Sequence, residues 1–181
     1  MPIFNAKKRG QTKRKFFDFT TQIRGVNNSF SRKRKKYLTA VVKGDEKLIF
    51  SLESELFSAL KEKAPAKVIV YMADDLFVSD LRGYLRQGIP LSNALKISLL
   101  ISDLRARKDI HLPDNPRYRK PEVLRQELEI IELEYQSLRL ARKKAEEFGL
   151  REIEARLRQK ISSKAKSINE YYTIFKKRLK T

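Results

Sequence analysis

Cysteine is absent from this chain of 181 residues, so it has no disulfide framework and no thiol chemistry. Tryptophan is also absent, and the single histidine, His111, sits beside a proline-rich stretch. One imidazole with no cysteine or second histidine cannot assemble a zinc site, and it reads as a surface residue. The six glycines include Gly83 and Gly88, which match neither nucleotide-loop fingerprint. Asp74, Asp75 and Asp80 form the one acidic cluster away from the long amphipathic segments. Asp75 and Asp80 stand five apart, off a common helical face, so helix capping accounts for the group better than a metal-dependent nuclease does. No catalytic residue, metal, cofactor or small-molecule substrate is expected. No apolar run approaches the roughly 18 residues that a membrane span needs. The basic N-terminus has no apolar core behind it, so no secretory signal is expected. The expected setting is intracellular, in nucleoid or cytoplasm, or a virion.

Acidic residues are nearly missing from the first fifth of the chain. Residues 1–36 hold twelve bases: Lys7, Lys8, Arg9, Lys13, Arg14, Lys15, Arg24, Arg32, Lys33, Arg34, Lys35 and Lys36. Asp18 is the one acid among them. This segment carries +11 of a total net charge of +19. It is poor in aliphatic residues and contains Gly10, Gly25 and Asn27–Asn28. We read residues 1–37 as an extended basic arm that cannot fold by itself. On that reading, deleting residues 1–36 leaves a folded body.

The body reads as all-α. Over 45–63, Asp45 is an N-cap, and Leu48, Ile49, Leu52, Leu56, Phe57 and Leu60 share one face before Pro65. The β-branched run "VIVYM" at 68–72 fits a short strand locally, but no partner strand is visible, so helix is preferred. Asp74 or Asp75 caps a helix with Leu76, Phe77, Leu81, Tyr84 and Leu85 inward, closed by Gly88. Pro90 or Ser92 opens the next helix, apolar on more than one face and expected at the centre (Leu91, Ala94, Leu95, Ile97, Leu100, Ile101, Leu104). The tight Gly88 corner is compatible with a helix-turn-helix, although an ordinary bundle corner is the preferred reading.

"HLPDNPRYRKP" is the clearest break in the pattern; Arg117, Arg119 and Lys120 in it are further candidate phosphate contacts, and a solvated connector is an equal reading of the stretch. Pro121 then begins a long helix striped by Leu124, Leu128, Ile131, Tyr135 and Leu138. Gly149 marks a turn into a last helix of about 28 residues, roughly 40 Å long. Its middle, "RQKISSKAKS", has few apolar residues: a partner covers it, or it frays, or its lysines meet phosphate. The expected organisation is a basic arm (1–37), a helical bundle core (38–111), a Pro-rich linker (112–121) and a long helical hairpin (122–181).

Such a charge distribution points to a polyanionic partner, which is DNA, RNA or an anionic membrane surface, and for a nucleic acid to binding through phosphates without base readout. DNA is favoured over RNA. Phe16, Phe17, Phe19 and Phe30 argue against a merely solvated tail. They can dock the arm on its own bundle or a neighbouring subunit, wedge a minor groove, or stack on unpaired bases. Docking is preferred, which makes self-association or a paralogous subunit an expected partner. "KKRGQTKRK", "SRKRKK" and the helices that follow resemble the coat proteins of filamentous and rod-shaped archaeal viruses, which carry a basic N-terminal segment before a small helical bundle. The resemblance implies a structural protein that coats double-stranded DNA in a helical nucleocapsid, with no catalytic residues. The long C-terminal hairpin departs from it. Alternatives are a basic helical subunit of a ribonucleoprotein, a chromatin or plasmid accessory protein, and a scaffold for which the basic clusters are a nuclear address.

Overall fold

In the computed structural model, residues 20–107 and 116–178 are described. They are all-α, with no strand among them: α1 (Arg24–Lys43), α2 (Glu46–Lys63), α3 (Ala66–Tyr71), α4 (Asp75–Arg86), α5 (Leu91–Arg105), α6 (Pro121–Glu147) and α7 (Arg151–Arg178). A short 3₁₀ turn, Pro116–Tyr118, precedes α6.

Local chemistry sets the boundaries. Gly44 (φ 68°) ends α1 in the left-handed conformation, and the Asp45 and Gly44 amides close on the carbonyls of Ala40 and Val41. Asp45 then caps α2, accepting from the Leu48 amide at 3.1 Å. Asp74 does the same for α4, accepting from Leu76 N at 2.9 Å; the Leu76 side chain itself is exposed, contrary to the inward placement expected, because the first turn of α4 turns it away from Phe77, Leu81 and Leu85. Pro121 stands in the first turn of α6, and Gly149 (φ 72°) turns the chain into α7.

Residues 24–37 do not extend as an arm; they are most of α1. Val26, Phe30, Tyr37, Leu38 and Ala40 are buried, and Phe30 meets Tyr37 edge to face at 5.4 Å. The stripe is too thin to hold a helix alone, but α2 packs along it and supplies the missing half of the core. The boundary between basic segment and folded body therefore lies well before residue 37.

The "VIVYM" run is helical in α3. Val68 is fully buried, and Tyr71 donates to Asp103 of α5 at 2.7 Å. The helix α5 is the interior element, and no residue from Leu91 to Leu104 is fully exposed. It packs against α1, α3, α4 and α6, so the Gly88 corner belongs to the bundle and presents no free recognition helix. A Cβ at Gly88 would stand 3.5 Å from Leu38 of α1 and 3.8 Å from Ala141 of α6, which shows how closely three elements meet there.

The α6–α7 hairpin is present, with its register adjusted. Leu124 and Leu138 are buried as expected, but Leu128, Ile131 and Tyr135 are half-buried. The buried line is completed by Ile130, Glu134, Ser137, Ala141 and Ala145. On α7 only Ile153 and Leu157 are fully buried. Beyond them the hairpin is joined by polar contacts: Lys164 with Glu134, Tyr171 with Glu127 at 3.1 Å, Tyr172 with Glu132, and Arg178 with the carbonyls of Arg117 and Arg119.

Candidate nucleic-acid interface

Because the buried stripe fixes how α1 is rotated, it also decides which bases of "SRKRKK" face solvent. Arg24, Arg32, Lys35 and Lys36 are exposed. Lys33 turns toward α2 and pairs with Glu55. Arg34 points into the α4–α5 corner and donates to the carbonyl of Gly88. Burial pushes its guanidinium pKa down, opposed by the charge of Glu147. Thus two of the five consecutive bases serve the fold and three face outward. No acid occurs anywhere in residues 19–44, so this outward face has no internal counter-charge from its own helix.

The face continues onto the end of α6. Lys35 lies 6.0 Å from the centre of the Phe148 ring, and Lys144 approaches the same ring at 5.2 Å. Lys144 also bonds Glu147 at 2.6 Å. That bond, then the charges of Lys144, Lys143 and Arg34, hold the Glu147 carboxyl below its ordinary range. Lys144 and Phe148 were not among the expected site residues, because only the packing of α1 against this end of α6 brings them beside Lys35.

The second expected group divides the same way. Arg117 and Lys120 are exposed. Arg119 is largely covered and pairs with Glu127, whose other oxygen accepts from Tyr171. Phe30 is a core residue of α1. Lys7, Lys8, Arg9, Lys13, Arg14, Lys15, Phe16, Phe17 and Phe19 lie outside the described residues.

Polar groups inside the bundle engage several further charged residues. Glu53 is 2% exposed and accepts from Tyr37 at 2.9 Å and Arg86 at 3.1 Å, with Arg82 at 3.0 Å from its second oxygen. Asp80 pairs with Arg105 at 2.7 Å and Asp74 is a cap, so the acidic trio does not converge. Among the described residues no cluster of His, Cys, Asp or Glu is placed to hold a metal ion. No helix there is long and apolar enough to cross a membrane.

A cleft of about 420 Å³ opens between α4, α6 and α7, where the apolar-poor middle of α7 passes Tyr84. Tyr84 donates to Glu134, which also takes the Lys164 ion pair. Lys160 reaches the same cleft.

Comparison of the chain with protein-family models, with curated proteins and with solved structures finds no match, so the resemblance to viral coat proteins rests on architecture alone.

Proposed function

We propose that this chain is a structural nucleic-acid-binding protein that coats double-stranded DNA without reading its sequence, as a subunit of a helical nucleocapsid. One observation carries the proposal: Arg24, Arg32, Lys35 and Lys36 line the outward face of an acid-free helix whose other face is anchored in the core. From Arg24 to Lys36 this face is about 18 Å long at 1.5 Å per residue. Duplex DNA presents about ten phosphate charges over that distance. Because the α1 backbone is already ordered, only the side chains lose freedom on binding, which removes part of the entropic cost of association. Nothing on this face has the shape of a base-edge reader, which favours backbone contact.

Filter binding across a salt series tests the reading. Each phosphate neutralised on duplex DNA contributes about 0.9 to the log–log slope. Changing Arg24, Arg32, Lys35 and Lys36 together to Gln should reduce the slope by about 3 to 4 and leave the circular dichroism spectrum helical. An unchanged slope refutes the α1 interface. Electron microscopy of protein with linear duplex should show regular filaments. Tight binding to RNA, with duplex bound only at low salt, would instead favour the ribonucleoprotein reading.

A further inference from the structure

The cleft between α4, α6 and α7 has a charge inventory that its size makes significant. Two carboxylates and two lysines line it, and both carboxylates are already paired. Asp80 is matched by Arg105, and Glu134 by Lys164. Lys160 is left over: among the described residues no carboxylate stands within ion-pairing distance of its ammonium. The neutralised walls thus leave one uncompensated positive charge, on the solvent-exposed Lys160, lining an open cleft of about 420 Å³, within the roughly 300–1,000 Å³ range of ligand sites. Burial lowers the Lys160 pKa, and so do the charges of Lys164 and Arg156, with Glu134 opposing. An anion placed there relieves that penalty. The surrounding stretch of α7, residues 155–169, holds five bases and no acid.

We infer that this cleft binds one phosphate group through Lys160, and that the group is a phosphodiester of the polynucleotide held by α1. A single uncompensated cation suits a phosphodiester, which carries one charge. The inference rests on the nucleic-acid reading of α1 for the identity of the ligand, and on the cleft alone for its chemistry. It also gives the apolar-poor middle of α7 a role other than packing.

Gly83 offers a test that leaves every charge in place. It lines the cleft from the middle of α4, and a Cβ built there meets nothing within 4 Å. Gly83→Leu should therefore fold, with improved helix propensity, while filling the cleft. Salt-dependent binding to duplex DNA is measured for the full chain and for Gly83→Leu and Lys160→Gln. Each variant should lower the slope by about 0.9, one phosphate contact. In parallel, inorganic phosphate is titrated while the Lys160 side-chain NMR signal is followed. The signal should shift in the unsubstituted chain and stay still in Gly83→Leu. If duplex binds and neither variant changes the slope, the cleft inference is overturned while the α1 reading stands. If no polynucleotide binds, the α1 reading fails; a phosphate shift abolished by Gly83→Leu then retains the anion site and overturns its polynucleotide ligand. No shift in either chain overturns the site itself.

Discussion

At the scale of single residues, the bundle depends on a few buried polar anchors. Glu53 accepts from Tyr37 and Arg86 and forms an ion pair with Arg82 in the α1–α2–α4 core. Replacing it by Ala strands a buried phenol and two guanidinium groups that were arranged around a carboxylate. The expected loss is about 2–4 kcal/mol of unfolding free energy, read by urea denaturation. The tyrosines predict an alkaline limit. The hydrogen bond to Asp103, with burial behind it, pushes Tyr71 up to about 12. Burial first, then Glu127, brings Tyr171 to about 12. Burial and the carboxylates of Glu53 and Glu134 raise Tyr37 and Tyr84 as well. A raised phenol pKa means that the folded state keeps its proton longer than the unfolded chain, whose tyrosines titrate near about 10. Their contribution is therefore complete below about pH 10 and is lost as pH climbs toward the folded values. Tyr171→Phe should lower stability at pH 7 by about 1 kcal/mol. It should also make the decline between about pH 10 and 12 shallower than in the parent chain, as followed by denaturant unfolding across that range.

Among the elements, α1 is both a core wall and the candidate binding face. Deleting residues 1–36 removes Ile23, Val26 and Phe30 from the core, contrary to the expectation that it leaves the body intact. That truncation should melt well below one that stops before Thr20, with calorimetry as the measurement. Phe30→Ala alone should cost about 3–5 kcal/mol, whereas Lys36→Gln on the outer face should change stability by less than about 0.5 kcal/mol. This division was only partly legible in the sequence. Asp45, Gly88, Pro121 and Gly149 announce their helix ends because capping and left-handed turns are local chemistry. The faces of α2, α4 and α5 follow from dense apolar repeats. In α1, one apolar residue per turn is outnumbered by bases, so only the facing α2 reveals it as a helix. Glu53 and Glu134 stand at buried register positions but read as surface residues, because their partners lie far away in the chain. The Lys160 cleft draws its walls from three elements, and no single stretch signals it.

For the whole molecule, stability is graded along the hairpin. Near Gly149, Ile153 and Leu157 are buried with Ala141 and Ala145 in the common core. Farther along α7, tyrosine–carboxylate and arginine–carbonyl contacts replace that core. Amide exchange should therefore be slower over 151–160 than over 169–178, and it should respond to salt only in the distal part. Arg178 has a mechanical consequence. By holding the carbonyls of Arg117 and Arg119, it ties the tail of α7 to the segment that leads into α6. The two long helices thereby behave as a strut clamped at both ends. A sideways load at one end is carried as tension in one helix and compression in the other. Cutting the clamp with Arg178→Ala would leave the fold in place and convert a stiff beam into one that splays.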